Sequence, residues 1–210
     1  MKRTICLLAV VLICPFFSGC HAVEPEEVYL ISALGFDRVD SGVRLVAEVP
    51  LTRESEEDKM EVRIFEGTGA SLPSALEDMK SGLAKQLEFG HCALAVLGEG
   101  VEGETLDRVL ECLSEWRVPL SATVIFSPDA RELLKKGSLS APAVGYEIPD
   151  ILRLISKERG ISFRCRIYEV ASAGGNFEIP RFLPNGDEVA EVDRLAGTCV
   201  YREKKAVEIA

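Results

Sequence analysis

His91 and Cys92 are the one adjacent imidazole and thiol worth testing for catalysis in the body of this 210-residue chain. A nucleophilic thiolate needs a base within hydrogen-bond reach, and a pKa lowered by a nearby cation or helix N-terminus. Neighbours on a strand send their side chains to opposite faces. The pair therefore reads as structural, with a thiol enzyme acting through Cys92 as a competing class that alkylation kinetics would test. The other thiols of the chain body are Cys112, Cys165 and Cys199. Cys92, Cys112 and Cys199 lie in apolar periodic runs, where cysteine serves as a small buried hydrophobe. Four cysteines also permit three disulfide pairings, which an exported chain can form. Their gaps of 20, 53 and 34 residues give no CxxC knuckle, and only His21 and His91 could add ligands. No zinc site, metal or other cofactor is expected.

Carboxylates give equally little. Glu56 and Glu57 sit in a polar stretch, and Glu77 and Asp78 fall on the wet side of a helical pattern, so both pairs read as solvated charges. Gly98 to Glu104, GEGVEGE, follows a strand pattern and precedes a helix, but it has no lysine and no GxGxxG spacing. Its three glutamates would repel a phosphate, so it reads as a tight acidic turn. The segment FDRVDSG lacks the length and the glutamate of a calcium loop. No catalytic residue is assigned.

The first twenty residues, MKRTICLLAVVLICPFFSGC, are a different matter. Lys2 and Arg3 precede thirteen mostly apolar residues, Ile5 to Phe17, in the pattern of an export signal. As a helix that run is about 20 Å long, short of the roughly 30 Å hydrocarbon core. Ser18 and Gly19 directly before Cys20 resemble the lipobox of bacterial lipoproteins, with Phe17 where an aliphatic residue is usual. Cys20 would then be the first mature residue, carrying a diacylglyceryl thioether. Two acyl chains anchor stably where one is marginal. Residues 1–19 are thus expected to be a lipoprotein signal, 20–27 a linker and 28–210 the folded domain, attached to a membrane but not crossing it.

With 24 Lys plus Arg against 34 Asp plus Glu the chain carries a net charge of -10, and loss of Lys2 and Arg3 takes it to -12. Such a surface repels phosphate polymers, and no basic cluster interrupts it. Nucleic acid is excluded as a partner.

Along the body, strand and helix patterns alternate. VYLISALGFD and GVRLVAEVPL predict a hairpin turning through Asp40, Ser41 and Gly42. MEVRIFEG, with Val62 and Ile64 alternating with charges, predicts a third strand at a sheet edge. From Ser71 to Glu88 the period becomes helical: Leu72, Ala75, Leu76, Met79, Leu83 and Leu87 share one face, with Ser71 as N-cap and Pro73 in the first turn. Cys92 to Leu97 is an unbroken apolar run, the pattern of a central strand covered on both faces. Glu104 to Trp116 predicts a second helix and Leu120 to Ser127 another buried strand. Ser127 and Pro128 predict the start of a short helix stopped by Gly137. Gly145 to Pro149 reads as a connector, followed by a helix around Ile151 that ends at Gly160. SFRCRIYEV, FEIPRFLP and RLAGTCVYREKKAVEI read as strands, with a turn-rich stretch at Ala171 to Asn176. The expected fold class is mixed α/β: one mixed sheet with amphipathic helices packed on its faces.

The order of these segments carries a resemblance. A lipoprotein signal, then VYLISALGFDRVDSGVRLVAEV, then FEGTGASLPSALEDMKSGLAKQLEFGHCALAVLGEG, resembles the N-terminal domain of the spore germination Ger(x)C lipoproteins, the C subunits of GerA-type nutrient germinant receptors. ECLSEWRVPLSATVIFSPDARELLKKG and IPRFLPNGDEVAEVDRLAGTCVYREKKAVEI continue the likeness downstream. The resemblance implies a non-enzymatic subunit, lipid-anchored through Cys20 on the outer face of the spore's inner membrane, assembling with an A and a B membrane subunit. It also implies a C-terminal domain beyond the position of Glu203 to Ile209, so a chain ending at Ala210 is expected to be a truncated homologue or an incomplete product. The alternative is a solitary extracytoplasmic ligand-binding lipoprotein, with Trp116, Tyr146 and Tyr168 among the few aromatics able to line a pocket.

Overall fold

The computed structural model describes residues 27–51, 61–136, 143–184 and 195–209. Ten strands and five helices occur among them: β1 (Val28–Leu30), β2 (Ala33–Val39), β3 (Gly42–Leu51), β4 (Glu61–Gly69), α1 (Leu72–Ser81), β5 (Gln86–Glu88), β6 (Leu94–Leu97), α2 (Gly103–Glu115), β7 (Thr123–Phe126), α3 (Ala130–Lys135), α4 (Val144–Arg159), α5 (Ile167–Ser172), β8 (Phe177–Phe182), β9 (Leu195–Arg202) and β10 (Lys205–Ile209). Eight of the strands form one mixed sheet in the order β10-β9-β8-β7-β6-β2-β3-β4. The fold class is the expected mixed α/β.

Apolar runs set the middle of this sheet. Every residue of β6 and β7 is buried, and β6 pairs in parallel with both β2 and β7. The β2–β3 hairpin is antiparallel, with Gly35 opposite Val46, and β4 closes the edge with Gly67 opposite Leu45. Side chains alternate between faces, so these two pairs mark opposite sides of the sheet. A Cβ on Gly67 would run into the backbone of Ala75 and Met79, which puts α1 against the Leu45 side. A Cβ on Gly35 would meet Ala130 and Leu134, which puts α3 against the Val46 side. Helices therefore cover both faces.

Several element boundaries differ from the sequence reading. VYLISALGFD breaks at Ile31–Ser32 because β1 leaves the main sheet to pair in parallel with β5, where Tyr29 packs on Phe65 with ring centres 5.0 Å apart. The helix expected through Glu88 stops at Ser81, with Gly82 as its C-cap. Leu87 lies in β5 instead, while Leu83 keeps only a half-buried place against the core. Ser71 caps α1 as expected, paired reciprocally with Ser74. The N-cap of α3 is Asp129, whose side chain accepts from the Glu132 N–H at 2.8 Å. Ser127 instead donates to the Asp129 carbonyl. Gly137 lies outside the described residues.

The expected connector at Gly145 to Pro149 is the first part of α4. A proline inside a helix removes a donor and crowds the carbonyl four residues back, here that of Gly145, yet the helix persists because its first turn is bonded to the sheet from outside. SFRCRIYEV forms no strand: it makes a single bridge, Arg166 to Thr123, and then becomes α5, whose Glu169 reaches back to the Arg166 N–H at 3.0 Å. The last hairpin turns at Glu203 and Lys204, both with positive φ. Such a two-residue turn suits the twist of paired strands but strains non-glycine residues. It is held by the Lys204 N–H donating to Gly175 O at 2.9 Å, by the Glu203 N–H donating to Asn176 Oδ1 at 3.1 Å, and by an ion pair from Lys204 to Asp107 at 2.6 Å.

Candidate functional site

Two buried carboxylates organise one face of the sheet. Ala33, Gly35 and Asp37 on β2 share a side with Arg44, Val46 and Glu48 on β3, as their register requires. Glu48 is fully buried. Its Oε1 accepts from the Val144 N–H at 2.8 Å, and its Oε2 accepts from the Gly145 N–H at 2.8 Å and from the Ser32 hydroxyl at 2.7 Å. The N-cap residue of α4, Ala143, has no side chain able to cap. Glu48 does so from a neighbouring strand, placing carboxyl oxygens against the N–H groups at the positive end of the helix.

Asp37 repeats the device at the other end of the hairpin. Its carboxylate accepts from the Ala130 N–H at 2.9 Å and the Arg131 N–H at 3.1 Å, so together with Asp129 it satisfies the first three N–H groups of α3. A side chain on Gly98 would collide with Asp37, which accounts for a glycine at the end of β6. Burial pushes both carboxyls above the ordinary carboxylate range, outweighing the hydrogen bonds that favour the ion. A third acid, Glu66 on β4, receives Arg131 at 2.6 Å and Lys135 at 2.9 Å. Burial pulls it up, but the bonds from Lys135 and Arg131 outweigh that and hold it below the usual range. Helices α3 and α4 are thus fastened to β2, β3 and β4 by acids, two of them already committed to backbone N–H groups.

The thiols occupy core positions. Cys92, Cys112, Cys165 and Cys199 are free and buried. Cys92 points inward, donating to the Leu94 carbonyl at 3.3 Å, while the neighbouring His91 is exposed. Burial pushes the Cys92 thiol up to about 12 and the Cys165 thiol up to about 11. Neither supplies a thiolate at neutral pH. Iodoacetamide at pH 7 is expected to label these four thiols only as fast as the fold opens. Labelling of the native protein at the rate of a free thiol would overturn that assignment.

Among the other sequence candidates, Glu77 pairs with Lys80 at 3.0 Å and Asp78 accepts from the Thr68 N–H at 2.8 Å, both local structural contacts. Glu56, Glu57 and Cys20 lie outside the described residues. Trp116 packs on Phe89, and Tyr168 borders a surface groove. Asp37 and Glu48 were missed as anchors. Their one signal was phase: each is a charged residue on the side of a strand whose neighbouring positions are apolar or small.

The described residues define a sheet-based domain in which acids fasten helices and cysteines fill the core. The chain matches the family model described as the spore germination protein N-terminal domain over residues 21–176. It therefore belongs to that family and is a germination-related protein. The match ends at Asn176, so β8, β9 and β10 lie past the matched residues. No curated protein and no solved structure matches it.

Proposed function

We propose that the protein is the lipid-anchored C subunit of a spore nutrient germinant receptor. It would be held at the outer face of the inner spore membrane by a diacylglyceryl thioether on Cys20 and would assemble with the A and B membrane subunits. The observation that carries this reading is the family match, which begins at His21, the residue after Cys20. The role is non-catalytic: the domain offers a folded surface to its partners, and tethering raises its effective concentration in the membrane plane. Residues 28–210 are read as one domain, supported by the last hairpin, which shares the sheet with β2–β4 and β6–β8 and is clasped by Gly175, Asn176 and Asp107.

Fractionation of spores tests the reading. The wild-type protein is expected in the membrane fraction and, after mild detergent extraction, in company with two integral-membrane subunits. Cys20→Ala is expected to move it to the aqueous fraction. Tight membrane attachment of that variant would remove the lipid anchor. Repeated recovery of the anchored wild-type protein alone would favour the solitary binder.

A further inference from the structure

Strands β7 and β8 run parallel but meet at a single pair, Phe126 opposite Arg181. Carried back three residues, that register would set Glu178 opposite Thr123. Arg166 takes that place instead, and the Val124 N–H donates to the Cys165 carbonyl at 2.6 Å. The chain just before α5 thus stands where β8 would have been. From Phe177 to Ile179, β8 keeps one strand partner, β9. Between this stretch and residues 161–164 lies a groove of about 690 Å³, also bordered by α5.

In an antiparallel pair, alternate residues direct their N–H and C=O away from the shared ladder. Those of β8 between Phe177 and Ile179 are directed to the groove side. Pro180, next along, has no N–H and marks where a bonding edge must end. An open strand edge is a template for another strand. Exposed apolar side chains stand among polar ones at the rim: Ile161 and Tyr168 are 46% and 53% exposed, and Leu120, at 55%, lies outside the groove beside Tyr168, whose N–H donates to the Leu120 carbonyl. Exposed hydrophobes grouped beside an open strand edge are suited to an interaction surface.

Charge selects the occupant. Arg164 borders the groove on one side and Glu178 on the other; both are exposed, and neither has an ion pair with any described residue. On a chain of net charge -10 an uncompensated arginine beside apolar side chains matches a carboxylate, and the glutamate opposite matches a cation. We propose that this groove binds an extended segment of a partner protein by strand addition along β8. The segment is apolar at alternate positions and carries an acidic residue for Arg164 and a basic one for Glu178. This assignment does not rest on the lipid anchor or on receptor assembly.

The test is amide NMR on the full chain in detergent, titrated with the blocked heptapeptide Asp-Thr-Val-Thr-Val-Thr-Lys and with the same peptide carrying proline at its central threonine. Saturable shifts confined to residues 161–164, α5 and Phe177–Ile179 are expected, with at least tenfold weaker binding of the proline peptide because it lacks a main-chain donor. Tyr168→Asp, a change at an exposed position, should weaken binding at least tenfold with an unchanged melting temperature. The assignment is overturned by absence of saturable shifts at millimolar peptide, by equal affinity for both peptides, or by an unaffected Tyr168→Asp variant. Shifts of the same amides on concentrating the protein alone would make a second copy the occupant, which also overturns it.

Discussion

Glu48→Ala is expected to cost about 4 kcal/mol of folding stability, read as a lower urea midpoint. The substitution removes three accepted hydrogen bonds at a fully buried position and strands the N–H groups of Val144 and Gly145 at the start of α4. Each buried donor left unsatisfied costs roughly 1–3 kcal/mol. Glu48→Gln should recover part of the loss, since an amide has one oxygen to offer where two N–H groups and a hydroxyl need acceptors. The penalty also depends on pH with a definite sign. Burial raises the folded-state pKa of Glu48 above its unfolded value. The native state therefore holds the proton more tightly, and the stability this provides is fully present below the unfolded pKa and fades as pH rises through the folded one. The gap between wild type and Glu48→Ala should accordingly be widest near pH 4 and shrink toward neutrality. A gap that widens with rising pH, or a loss under about 1 kcal/mol, would show that α4 does not depend on this carboxylate.

Leu76→Asp is expected to abolish cooperative unfolding altogether. Leu76 lies on the buried side of α1 with Leu72, Ala75 and Met79, where the helix backbone rests directly on Gly67 of β4. Removing the side chain from this contact forfeits about 2–3 kcal/mol of burial. The carboxylate adds several more, because so close an approach leaves no room for water. That total is comparable with the roughly 5–15 kcal/mol that holds a whole domain together. Leu76→Met, which keeps the volume, should cost less than about 1.5 kcal/mol. An unchanged melting temperature for the aspartate variant would place this face in solvent.

What could be read in advance follows from the range of the forces involved. The central strand within Cys92–Leu97, the turn of the β2–β3 hairpin and the Ser71 cap rest on local pattern, and each appeared within the segment the pattern marked. The misreadings were decided by contacts distant in sequence. Leu83 and Leu87 continue the helical period of α1 by coincidence, while Gln86–Glu88 pairs with Val28–Leu30, some sixty residues earlier. Pro149 argues locally against a helix, and an acid from β3 overrides it. Arg166 and Ile167 are apt for a strand, but Glu169 closes the first turn of α5. Among the candidate site residues, the core role of Cys92, Cys112 and Cys199 was legible because apolar flanks announce burial. Asp37 and Glu48 were not, since a lone acid on a strand does not reveal which helix it will fasten.

The parallel pairing at the heart of the sheet also governs how the chain must assemble. Ala33 sits opposite Leu94, and Leu94 opposite Thr123, so the innermost ladder joins segments some sixty and thirty residues apart. Closing such loops exacts entropy before any contact rewards it, and topologies of this kind are slow, on a scale of milliseconds to seconds. The early hairpin can form first, but until residues through β6 are available it exposes an unpaired β2 edge lined with apolar side chains. Nascent molecules are thus at their most adhesive partway through synthesis, and a holdase would be most useful in that interval.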